Sequence, residues 1–264
     1  IFVRTAGKKH IDLSKRVILV IIPVCHSNSV WATLITFWCG GTNVIFPSGQ
    51  FNPEKALQLI EKEKVTTSSM VPTMIIKILS LSDRVKIKYD MSSLTSLGSS
   101  SAPLLTKTKE EAMGFFKNVR FSEGYGSTET GALTTLRHRD QVRKIRSIGQ
   151  PNPGIEIKLI DEEGNVVTEP DKLGVLWAKT RSAFIGYYKD EAKTKQSIDG
   201  EWSSPGDIAH FDEEGYYYLA DRKHDMIISG GENIYPAEIE EVISKLPQVS
   251  EVTVFGVPHE HWGE

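Results

Sequence analysis

The residues best equipped for chemistry are Gly124-Tyr125-Gly126-Ser127-Thr128-Glu129-Thr130-Gly131. Glycines let the backbone approach a ligand closely. Tyr125 offers a flat face, and Ser127, Thr128 and Thr130 offer hydroxyls. Glu129 offers a carboxylate of the kind that holds Mg²⁺ beside phosphate oxygens. Such a stretch could bind a nucleotide; it is equally the composition of a turn between two strands. Further polar candidates are Gly98-Ser99-Ser100-Ser101-Ala102-Pro103, Gly206-Asp207 and the charged run Asp221-Arg222-Lys223-His224-Asp225. His26-Ser27-Asn28 follows an early apolar run.

The elements that must position these residues can be read from periodicity. Val17–Val24 is too short to span a bilayer and reads as a buried parallel strand. Val30–Cys39 reads as a helix stopped by Gly40-Gly41, and Thr42–Phe46 as a strand. Asn52-Pro53 caps a helix over Glu54–Lys64. Strands are expected at Thr66–Val71, Leu94–Leu97 and Val119–Ser122, and helices at Pro72–Leu81 and Leu104–Phe116. This alternation argues for an α/β fold with a parallel sheet covered on both faces. Ligands in such sheets sit beyond the carboxyl ends of the strands, where both small-residue stretches fall. After Gly149 the pattern changes to short strands and turns (Ile155–Ile160, Gly174–Ala178, Gly215–Leu219), a β-rich subdomain. A helix over Pro236–Leu246, acidic near its start as the helix dipole favours, precedes an expected strand at Val249–Phe255.

Composition is that of an ordinary soluble protein, with 39% hydrophobic and 25% charged residues among 264. A net charge of -3, without a dense basic tract, argues against a nucleic-acid footprint. Two cysteines, Cys25 and Cys39, are too few for a disulfide framework and suggest a reducing, cytoplasmic setting. No transmembrane segment or signal peptide is expected. The first residue is not Met, and the chain stops at Trp262-Gly263-Glu264, so both ends look cut.

Taken together, Gly124–Glu129, Gly206-Asp207, Asp221-Arg222 and Ser229-Gly230-Gly231-Glu232-Asn233-Ile234-Tyr235-Pro236-Ala237-Glu238-Ile239-Glu240 resemble, in order and separation, the adenylate-forming enzymes. That family includes acyl-CoA synthetases, firefly luciferase and the adenylation domains of peptide synthetases. The resemblance covers essentially the whole chain and lies nearest the acid–CoA ligases. It implies part of a large N-terminal α/β domain over 1–149, its β-rich subdomain over 150–220, a hinge at 221–225 and the start of a small α+β C-terminal domain over 226–264. It also implies that ATP, with Mg²⁺, activates a fatty or aryl carboxylic acid to an acyl-adenylate, which coenzyme A then converts to a thioester.

By the same resemblance, Tyr125, with Gly126 and Ser127 beside it, stacks on adenine. Thr128 contacts the α-phosphate, and Glu129 places the metal. Ser100, Ser101, Ala102 and Pro103 form the adenine-edge loop, with serines where the family usually has glycines. Asp207 accepts from the ribose hydroxyls; residue by residue, the plainer role is a turn aspartate. Arg222 reaches ribose or phosphate, or pairs with Asp221 or Asp225. The pivot falls on His224 or Asp225, and Ser229, Gly230 and Gly231 line the thiol tunnel. His26, Ser27 and Asn28 line the acyl pocket; read by itself, His26 is equally a packed, hydrogen-bonded histidine near a strand end. Ser27 stands where amino-acid-activating relatives carry an Asp, which disfavours an amino-acid substrate, because a buried ammonium needs a partner.

The family's Ser/Thr/Gly-rich phosphate loop and distal catalytic lysine are absent from the sequence. The expectation is an internal piece of a larger synthetase, inactive alone. The alternatives are a non-catalytic AMP-binding fragment or pseudo-enzyme, and transfer of the acyl group to a carrier-protein thiol.

Overall fold

The structure is a computed structural model that describes residues 13–47, 49–102, 104–222, 226–230, 232–246, 248–249, 251–259 and 262. The chain forms two compact units. One comprises residues up to Leu97 together with Asn118–Arg120, and the other Gly98–Lys117 with everything from Phe121 onward.

In the first unit, β1 (Val17–Val20) lies between β2 (Thr42–Ile45) and β3 (Thr67–Met70), both parallel to it. β1 is a short β-branched run with Ile18, Leu19 and Val20 buried. Helix α1 (Ser27–Trp38) packs on β1 and β2, tied down by the Ser29 hydroxyl, which donates to the Ile22 carbonyl at 2.7 Å. Helix α2 (Pro53–Lys62) starts where Asn52 accepts from the Lys55 amide at 2.9 Å, and buries Ala56, Leu57 and Ile60 on one face. Helices α3 (Pro72–Leu79) and α4 (Asp83–Lys86) pack against α2. Strand β4 (Ser96–Ser99) follows and runs across the division between the units.

The second unit is antiparallel. After α5 (Thr106–Phe115), β5 (Arg120–Ser127) pairs with β6 (Gly131–Leu136), and β6 with β7 (Ser147–Pro151). The ladder continues through β13 (Tyr217–Arg222) and β12 (Asp207–Phe211) to β9 (Gly174–Lys179). β9 also pairs with β8 (Glu156–Ile160) and β11 (Trp202–Ser203); β11 forms a hairpin with β10 (Ile198–Asp199) after α6 (Glu191–Ser197). Leu133, Leu159, Val167, Leu176, Ala178 and Ala209 form its core, with Tyr125 and Tyr217 packed against them. A separate hairpin, β14 (Ile227–Ser229) with β15 (Glu232–Ile234), precedes α7 (Pro236–Ser244).

The α/β class holds, but element bounds differ from the sequence reading: β1 stops at Val20 rather than Val24, and β4 covers Ser96–Ser99 rather than Leu94–Leu97. The strand expected at Val119–Ser122 continues to Ser127, so antiparallel pairing begins well before Gly149. The first helix begins at Ser27 rather than Val30. The described residues of Val249–Phe255 form no strand; alternating apolar residues alone do not supply a ladder partner.

Candidate functional site

The central motif is a strand, a tight turn and a strand. Tyr125 faces Thr134 in the β5–β6 register, with an irregularity between Tyr125 and Gly126. A Cβ on Gly126 would lie 2.1 Å from the Gly131 carbonyl oxygen, and Gly131 itself has φ +71°. Those two glycines therefore serve the hairpin. Thr130 is fully buried (0% exposed), and its hydroxyl accepts from the Ser127 amide at 3.3 Å and meets the Ser127 hydroxyl at 3.0 Å. This bridging closes the turn and leaves Thr128 exposed at its tip.

Two long-range hydrogen bonds define what lies beside the hairpin. The Tyr125 hydroxyl donates to Oδ2 of Asp207, which begins β12 and is 7% exposed. The Tyr187 hydroxyl donates to Oε1 of Glu129 at 2.8 Å. Burial pushes the Glu129 carboxyl up, but the Tyr187 and Ser127 hydroxyls, a backbone amide and nearby Lys193 outweigh it and hold the group below its usual value. Burial and then Glu129 push the Tyr187 phenol up. Tyr187 is set by the Phe184 ring, edge-on at 5.0 Å between centroids, and by its own amide donating to Thr194 Oγ1 at 2.9 Å. The Phe184 amide in turn donates to the Glu129 carbonyl at 2.9 Å.

Sequence reading passed over Tyr187, Phe184 and Lys193. The only local sign was an aromatic cluster around Gly186, because the contact with Glu129 is made across the fold.

The other candidates are placed as follows. Ser100, Ser101 and Ala102 follow β4, and Pro103 lies outside the described residues. Ser101 has φ +73°, a left-handed conformation that glycine holds without strain, at one of the positions where serines replace glycines. Arg222 ends β13, opposite Asp207 in the ladder. Ser229 ends β14 opposite Glu232, and Gly230 follows in the turn, where its amide donates to the Trp262 carbonyl at 2.8 Å. His224, Asp225 and Gly231 lie outside the described residues. His26, Ser27 and Asn28 belong to the first unit. His26 precedes α1, Ser27 and Asn28 form its first turn, and Asn28 Nδ2 reaches Ser69 Oγ at 3.5 Å.

The described residues contain no group of three or more His, Cys, Asp or Glu able to hold a metal. Glu129, part-exposed beside the exposed Thr128, nonetheless offers a hard-oxygen carboxylate. It suits a Mg²⁺ ion that takes one or two carboxylates and completes its shell from phosphate and water. No helix among the described residues is long and apolar enough to cross a membrane.

Residues 2–188 match the family model described as AMP-binding enzyme. The chain belongs to the AMP-binding enzyme family. It is 34% identical over 247 residues to 2-succinylbenzoate–CoA ligase of Bacillus licheniformis, covering 93% of this chain and 49% of that protein. Among solved structures, it resembles the amide bond synthetase McbA of Marinactinospora thermotolerans, with TM-score 0.85, 26% identity, and coverage of 95% of this chain and 49% of that one. It also resembles o-succinylbenzoate coenzyme A synthetase of Bacillus subtilis in complex with ATP and magnesium ion, with TM-score 0.82, 30% identity, and coverage of 94% and 50%. The chain thus spans about half the length of these relatives.

Proposed function

We propose that the protein to which this chain contributes is an acid–thiol ligase of the AMP-binding family, and that this chain carries its adenosine site. The observation that carries the reading is the β5–turn–β6 hairpin, with Tyr125 tied to Asp207 and Glu129 held as a carboxylate by Tyr187. In this reading adenine lies on Tyr125 beside Gly126, along Ser100, Ser101, Ala102 and Pro103. The ribose hydroxyls donate to Asp207, with Arg222 near the sugar or phosphate. Thr128 and Ser127 face the α-phosphate. Glu129 would hold Mg²⁺, whose chemistry is to offset phosphate charge as the carboxylate attacks.

A substrate carboxylate oxygen bonds to the α-phosphorus, the bond to the β-phosphate breaks and pyrophosphate leaves. The thiol of coenzyme A then attacks the acyl carbon and AMP departs. His26, Ser27 and Asn28 line the acid pocket, residues 221–225 (with His224 or Asp225 as pivot) form the hinge, and Ser229, Gly230 and Gly231 line the thiol path. The 2-succinylbenzoate–CoA ligase relative favours an aryl acid over a fatty acid, and the compartment is cytoplasmic. The sequence holds neither the phosphate loop nor the distal lysine, and losing one such charge-stabilising donor costs roughly 10²–10³ in rate. The 264-residue chain is accordingly inactive alone.

The test is pyrophosphate release from ATP with a panel of aryl and fatty acids, run on this chain and on the native gene product. The expected result is release by the native product only, followed by CoA-dependent loss of AMP. Release by the isolated chain overturns the inactivity, and a native product that never releases pyrophosphate overturns the ligase reading.

A further inference from the structure

The Asp207 backbone is fixed independently of its side chain. It begins β12 opposite Arg222, and the preceding Gly206 amide donates to Ser204 Oγ at 3.1 Å while that hydroxyl donates to the Leu176 carbonyl at 2.6 Å. A strand backbone does not by itself fix the rotation of a carboxylate about its side-chain bonds. The Tyr125 hydroxyl arrives from β5, on the other side of the intervening ladder, and donates to Oδ2. Its ring is itself held against the Leu133–Ala209 core.

We propose that the Tyr125 hydroxyl is a positioning group that orients the Asp207 carboxylate for the ribose diol, so that one residue serves the base through its ring and the sugar through its hydroxyl. The inference rests on the adenosine reading of the site. A carboxylate has about four acceptor positions. The tyrosine takes one of them, so its bond does not by itself exclude the ribose hydroxyls. An oriented acceptor also loses less rotamer freedom when the sugar arrives.

The experiment measures dissociation constants of AMP and 2′,3′-dideoxy-AMP by calorimetry on the native gene product and on its Tyr125→Phe and Asp207→Asn variants, with thermal melts to confirm that each is folded. The native product is expected to prefer AMP by on the order of 10–100-fold, the range of a charge-assisted hydrogen bond. Y125F keeps the ring, and is expected to weaken AMP several-fold more than the dideoxy nucleotide, so the preference falls. D207N is expected to remove most of the preference. An unchanged preference in Y125F with a reduced one in D207N overturns the positioning role alone, as does tighter AMP binding by Y125F, which would mean competition. A preference indifferent to D207N, or no AMP binding by the native product, overturns the ribose assignment and the inference with it.

Discussion

Gly124 and Gly126 stand two residues apart on one strand and carry opposite expectations. A methyl at Gly124 meets nothing nearer than the Thr134 carbonyl oxygen at 3.9 Å, whereas at Gly126 it would sit 2.1 Å from backbone. Gly126→Ala should cost upwards of about 2 kcal/mol because backbone must move, and Gly124→Ala should stay within about 1 kcal/mol. Urea melts of the two variants check this, and equal costs would show that the hairpin is not packed as described. From sequence, all the glycines of the motif looked alike as sites of close ligand approach. Two of them answer to the hairpin's own backbone, a distinction that depends on which strand lies opposite. Tyr125, Thr128 and Glu129 were legible because their side-chain chemistry is local. Tyr187 was not, because its relation to Glu129 is made by the fold.

At the scale of elements, α5 and β5 are joined by an ion pair taken almost wholly out of water. Lys109 Nζ lies 2.5 Å from Glu123 Oε1, with the side chains 3% and 16% exposed, and neither atom makes a well-angled hydrogen bond. Burial raises the Glu123 carboxyl above its usual value, with Lys109 opposing. A carboxyl raised in the folded state contributes stability that is full below its unfolded value and is lost as pH rises through the folded one. Lys109→Met removes the opposing charge, so its cost should be on the order of 3–5 kcal/mol at neutral pH and should shrink on acidification toward pH ~4. Melts at pH 4.5 and pH 8 read the difference, and a pH-independent cost would sink the argument. The alternation of strands and helices was legible through Pro72–Leu79, because apolar periodicity and Asn/Pro helix starts are local signals. The course of β5 through a Gly/Ser-rich motif was not. Such residues favour turns by themselves, and only the β6 ladder makes them a strand.

At the scale of the second unit, one cluster of charges joins the segment after β6 to the β12–β13 turn. Arg143 donates to Glu214 at 2.6 Å and to Asp140 at 3.1 Å; Lys144 reaches Asp212 and Glu214, both at 2.6 Å; and the Tyr218 hydroxyl donates to Asp212 at 2.9 Å. Burial pushes Asp212 up, but Lys144, backbone amides and Tyr218 outweigh it; Lys144 and then Arg143 lower Glu214. Burial, then Asp212, pushes the Tyr218 phenol up to about 12. Depressed carboxyls contribute stability above their unfolded values and lose it as pH falls through the folded ones. A raised phenol contributes below its unfolded value and loses it as pH rises through about 12. Stability should therefore plateau between the two limbs, and Asp212→Asn should lower the plateau and flatten the acid limb. A near-UV circular dichroism titration tests this, and an acid limb unchanged in D212N would remove the cluster from the account.

Helix α1 buries Ser29 and Thr36 while leaving Trp31, Leu34, Phe37 and Trp38 exposed, Trp38 at 88%. Trp262 is exposed as well, and Trp177 and Trp202 are half-buried. None of the five tryptophans is fully shielded from water. The usual optical handle on unfolding, the red shift of indole emission as a dry ring becomes wet, is therefore muted in this chain. Tyrosine absorbance is the better reporter, since Tyr89 and Tyr216 are the aromatic hydroxyls that unfolding would bring from the interior into solvent.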